Sequence, residues 1–156
     1  MFQGDCYAAT GHDLDAIAAW QMALTAGVGE PVIYEQLVDA LLRVGRPAEA
    51  LDTLAEADLR WTDRRGFDAR RGLALALLDR HQEALPLLEA AATDPAADRE
   101  LLFYVMQAIY VGRLSGWLEP SEALRKRFDA FLERYTAAAG THAALAKTWR
   151  RAVQER

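Results

Sequence analysis

One spacing constrains the fold of this chain more than anything else in it: alanines 16, 50 and 84 recur every 34 residues. Each follows an acid and precedes an aliphatic residue, in Asp15-Ala16-Ile17, Glu49-Ala50-Leu51 and Glu83-Ala84-Leu85. Two further columns keep the phase, Trp20, Leu54 and Leu88, then Ala23, Ala57 and Ala91. Gly11 and Gly45 hold it too, with Asp79 in the third copy. A period of this length marks one supersecondary unit repeated along the chain. Such a unit cannot bury its apolar face alone, so neighbouring copies must stack on it.

Inside the unit, apolar residues recur every three or four positions in two runs, the mark of two amphipathic helices. Tyr34, Leu37, Leu41 and Val44 form the first run, and Ala50, Leu51, Leu54 and Ala57 form the second, across the turn Gly45-Arg46-Pro47. Glycine suits the residue just past a helix end, and Pro47 suits the first turn of the next helix, where no N–H is needed. Ala50, Ala57, Ala84 and Ala91 are small enough to let two helix backbones approach. The period, the turn glycine and the small contact residues resemble the tetratricopeptide repeat family over residues 1–112, and more loosely beyond. Gly4 and Gly72 keep a small residue in a column where Val38 and Met106 depart from the family's habit.

The resemblance implies an all-α chain, a right-handed α-solenoid of three and a half to four helix-turn-helix units with a C-terminal capping helix. The expected division is a truncated first unit over 1–30, a second over 31–64, a third over 65–98, an irregular fourth over 99–139, and the cap over 140–156. Projected backwards, the register makes Gly4 and Tyr7 the latter part of a helix whose opening residues are missing. Leu102, Val105, Ala108 and Ile109 give a fourth first helix, but Ala123-Leu124 comes five residues late, which requires an insertion within Gly112–Pro120. That insertion carries Trp117, expected to fold back onto the body. Leu124, Phe128, Phe131, Leu132 and Tyr135 then predict a long helix closed by Gly140. A last helix capped by Thr141 carries Leu145, Trp149 and Val153 on one face.

No motif for catalysis or metal binding stands in the sequence. A lone cysteine, Cys6, forms neither an intramolecular disulfide nor a zinc set and reads as a core residue. His12, His81 and His142 are far apart, in no metal-ligand spacing, and read as turn or surface histidines. Acid pairs such as Asp13 with Asp15 and Glu30 with Glu35 fall at turns and exposed faces. The basic clusters Arg60, Arg64, Arg65, Arg70, Arg71 and Arg125, Lys126, Arg127 are interleaved with acids and read as salt-linked surface. With a net charge of −5 and no aromatic-basic stripe, nucleic acid is not an expected partner. No apolar run is long enough to span a bilayer and no signal peptide is visible, which points to the cytoplasm, or to the periplasm if the chain is excised from a secreted or anchored parent. The expectation is a chain without enzymatic activity, cofactor or metal.

The resemblance further implies that the first helix of each unit lines a concave groove where a protein or peptide binds. Helical phase assigns Glu35, Gln36, Asp39 and Arg43 to this groove in the second unit, and Ala69, Arg70, Leu73 and Leu77 in the third. In the fourth it assigns Phe103, Tyr104, Gln107 and Tyr110, so that the groove passes from acidic to aromatic. Aromatic and arginine residues most often anchor partners. Phe103, Tyr104, Tyr110 and Arg70 are therefore the expected anchors, unless the terminal helices cover the aromatics. Family members that clamp a C-terminal carboxylate use lysine and asparagine on these helices. This chain has no asparagine, and its two lysines, Lys126 and Lys147, lie elsewhere. The expected function is a binding scaffold within a larger bacterial protein or assembly. The alternative is self-assembly, or stacking on preceding repeats, through an uncapped end at Met1, Phe2 and Tyr7.

Overall fold

The computed structural model describes residues 11–63 and 65–155. Cys6, Gly4 and the stacking end expected at Met1, Phe2 and Tyr7 lie outside these residues, as does Arg64. The described residues are all-helical: α1 (Gly11–Thr25), α2 (Pro31–Arg43), α3 (Pro47–Asp58), α4 (Arg65–Leu77), α5 (His81–Ala92), α6 (Arg99–Ser115), α7 (Glu122–Ala137) and α8 (Ala143–Gln154). They fall into two compact units, one ending at Leu78 and the other beginning at Asp79. The third repeat, over 65–98, is thereby divided, with α4 in one unit and α5 in the other. None of the described helices is long and apolar enough to cross a membrane.

In the first unit each helix packs on the next, α1 on α2, α2 on α3 and α3 on α4, and α4 also returns to α2. The interior is built from Ile17 of α1, Tyr34, Leu37, Val38 and Leu41 of α2, Ala50, Leu54 and Ala57 of α3, and Phe67 and Ala74 of α4. Apart from Val38, those α2 and α3 side chains are among the ones whose spacing marked the two helices. Val38 is fully enclosed, so the larger residue in the usually small column is absorbed by the core. Pro31 and Pro47 open α2 and α3 in the first turn, as their missing N–H allows. Gly45 closes α2 with a left-handed φ of 74°. Its N–H reaches the Leu42 carbonyl at 3.1 Å and the next N–H, from Arg46, reaches the Leu41 carbonyl at 2.8 Å. This paired bonding satisfies two carbonyls that the helix end leaves open.

The second unit repeats the arrangement. α5 packs on α6, α6 on α7 and α7 on α8, and α8 returns to α6. With three partners, α6 is buried on most sides, through Leu101, Leu102, Phe103, Val105, Met106, Ala108 and Ile109. The buried interior also takes Leu124, Phe128 and Tyr135 from α7 and Ala146, Trp149 and Val153 from α8. Asp98 caps α6 by accepting the Leu101 N–H at 2.9 Å, and Ser121 caps α7 by accepting that of Leu124 at 3.0 Å. Each such cap contributes about 1 kcal/mol. Asp79 has a φ of 59°, so the residue standing in the glycine phase of the repeat takes the glycine conformation. Asp tolerates it better than most side chains do.

The insertion is shorter as a loop than the spacing implied, because α6 continues to Ser115. Trp117 does fold back: a Cβ added at Gly112 would stand 2.8 Å from its ring. Two termini differ from expectation. α7 ends in a left-handed residue, but that residue is Ala139, with φ 54°, and not Gly140. Gly140 is needed for space instead, since an added Cβ would collide with the ring of Tyr135. Nor does Thr141 cap α8. The helix starts one residue later, after His142, whose N–H is accepted by the Tyr135 hydroxyl at 3.1 Å.

Candidate functional site

Of the groove residues assigned to the second and third repeats, Glu35, Asp39 and Arg70 come together where α4 meets α2, and they bond to one another. The Arg70 guanidinium donates from Nε to Asp39 Oδ1 at 2.7 Å and from Nη2 to Asp39 Oδ2 at 2.9 Å. Its Nη2 also lies 3.6 Å from Glu35 Oε2, and its Nη1 donates to the Gly66 carbonyl at 3.0 Å. Burial disfavours the charge on Arg70, but the Asp39 bond and the charges of Asp39 and Glu35 outweigh this, and its pKa rises above the ordinary arginine value. Gly66 leaves room for the arrangement, because a Cβ there would stand 3.0 Å from Glu35 Oε1. Arg43, on the same helix as Glu35, reaches back to Asp13 of α1 at 3.1 Å. The acidic stretch of the predicted groove is thus a set of closed ion pairs. Gln36 is exposed beside it, Leu73 is half-buried, and Leu77 is exposed.

In the second unit the aromatic residues also converge, but one of them is not available as a groove anchor. Phe103 is only 8% exposed. Its ring centroid lies 5.2 Å from that of Trp149, 5.1 Å from His142, 6.0 Å from Tyr135 and 5.5 Å from Tyr104. Tyr110 stacks on Trp149 at 5.4 Å with the rings nearly parallel. The last helix therefore covers Phe103 and one side of Tyr110, because the apolar stripe Ala146, Trp149 and Val153 needs an apolar partner and α6 supplies it. Tyr104, Gln107 and Tyr110 each keep part of their surface accessible. The α6 signal was read as a binding face. The strongly one-sided α8 was the cue that part of it is interior.

The remaining chemistry-bearing residues sort as follows. Arg71 bridges Asp58, at 2.7 Å, and Asp68. Arg125 and Lys126 pair with Glu122 at 3.8 Å and 3.7 Å, and Arg127 with Glu89 at 3.3 Å. The second basic cluster, and Arg71 in the first, are salt-linked as expected. Arg60 lies over the ring of Tyr34, 5.9 Å from its centroid. His12 and His142 are exposed; His81 stands at the turn into α5, as one of the two expectations had it, but is not on the surface. It is 7% exposed, its Nε2 is 3.5 Å from Asp79 Oδ1, and its buried Nδ1 has no partner. Burial pushes its pKa down, and the nearby Asp79 only partly restores it. Among the described residues no group of three or more His, Cys, Asp or Glu side chains could hold a metal ion.

One face departs from the repeat. Leu14, Ala18 and Met22 of α1 occupy the positions held by Ala48, Asp52 and Glu56 in α3 and by Gln82, Pro86 and Ala90 in α5. All nine are exposed. This outer face is therefore apolar on α1, with Met22 at 73% exposure, and more polar on its two counterparts.

No family model, curated protein or solved structure compared with the chain matches it.

Proposed function

We propose that this chain is a tetratricopeptide-like scaffold with no chemistry of its own, which binds a protein or peptide segment on the first-helix faces of its repeats. The observation that carries the reading is the return contact within each unit: α4 packs on both α2 and α3, and α8 on both α6 and α7. That is how a stacked helical hairpin meets the next first helix in a repeat array. It buries the apolar edge of α2 and α6 and leaves a row of polar and aromatic groups along each. In the first unit these are Gln36, Arg43 and the closed Glu35–Asp39–Arg70 set; in the second they are Tyr104, Gln107 and Tyr110.

The ion set bears on how recognition would work. Arg70 already holds two carboxylates, so a partner gains little from it as a free cation. It acts as a polar floor on α2, where a peptide is read through the exposed Gln36 amide; on α6 a peptide is read through the partly accessible Gln107 amide and the tyrosine faces. Gln36 and Gln107 offer both donors and acceptors for an extended backbone. Tyr104 and Tyr110 bring contact area at low conformational cost.

The test is a peptide-display selection against the intact chain, followed by titration of a selected peptide into point variants. For a peptide held on α6, Tyr104→Ala and Gln107→Ala are expected to weaken binding, by about tenfold for a tyrosine anchor of ~1.4 kcal/mol, and for one held on α2, Gln36→Ala is expected to do so. Glu56→Ala on the outer face of α3 is expected to leave it unchanged. Binding lost through the outer-face change, and kept through the other three, would overturn the proposal.

A further inference from the structure

We draw no further inference here: the strongest candidate, the exposed apolar stripe of Leu14, Ala18 and Met22 on the outer face of α1, carries nothing because nothing in the structure shows what covers it.

Discussion

The two compact units use one helix order for the same purpose and close it with opposite chemistry. In the first, α4 is tied to α2 by a guanidinium between two carboxylates. In the second, α8 is tied to α6 by stacked rings. One position corresponds, since Phe103 lies two repeat lengths, 68 residues, after Glu35. What the repeat conserves is therefore the geometry of a helix laid back across its predecessor. The means of holding it there is free to change. A partly exposed ion set contributes about 1 kcal/mol or less, whereas burying an aromatic side chain contributes several times as much. The two closures should respond differently to mutation, salt and pH.

The largest effect is expected from Trp149→Ala. Trp149 is 4% exposed and holds both Phe103 and Tyr110, so its loss should cost about 3–5 kcal/mol, read as a lower denaturation midpoint for the second unit. Next comes Gly140→Ala, which forces a methyl against the ring of Tyr135 and disturbs the hydroxyl that accepts the His142 N–H. Overpacking of this kind costs about 1–3 kcal/mol. Hydrogen exchange at the first turn of α8 should report it locally.

His81 is expected to contribute to the response of the second unit to mild acid. Its folded pKa lies below the unfolded value, near 6.5, so the unfolded chain binds the proton first. Its contribution is present above the unfolded pKa and declines as pH falls below it, with a slope of at most about 1.4 kcal/mol per pH unit for one proton. Thermal unfolding between pH 7.5 and 5.5 should show this decline, and His81→Leu should flatten it. In the first unit, Arg70→Ala is expected to cost only about 1 kcal/mol, and less at high salt, because its partners remain partly solvated. Salt should leave the Trp149→Ala difference almost untouched. The smallest effect belongs to Met22→Gln, where the exposed side chain should change stability by less than about 0.5 kcal/mol. If Arg70→Ala proved as damaging as Trp149→Ala, the contrast between the two closures would fail.

How much of this could be read beforehand follows from the range of the forces involved. The helices and their order came from apolar periodicity and turn chemistry, both local: Pro47 opens α3, Gly45 closes α2, and Asp79 takes the glycine conformation because the register demands it. The corner after α7 was misread because Gly140 does its work through contact with Tyr135, and no local rule separates that from a left-handed cap. For the site, phase placed Glu35, Asp39 and Arg70 on one side of their helices, and they do meet. That they satisfy each other depends on the approach of α4 to α2, permitted by Gly66, which one helix pattern does not contain. Phe103 shows the same limit. Its phase suited a groove, but its fate was decided by Trp149, 46 residues further on. His81 looked like a turn histidine, and packing buried it.

The central claim, binding on the faces of the first helices, is tested most directly by backbone amide shifts of the labelled chain as a display-selected peptide is added. Shifts and protection concentrated on one first-helix face, around Gln36 on α2 or around Tyr104 and Gln107 on α6, are the predicted result. Changes confined to the outer faces of α1, α3 and α5, with α2 and α6 unmoved, would contradict it.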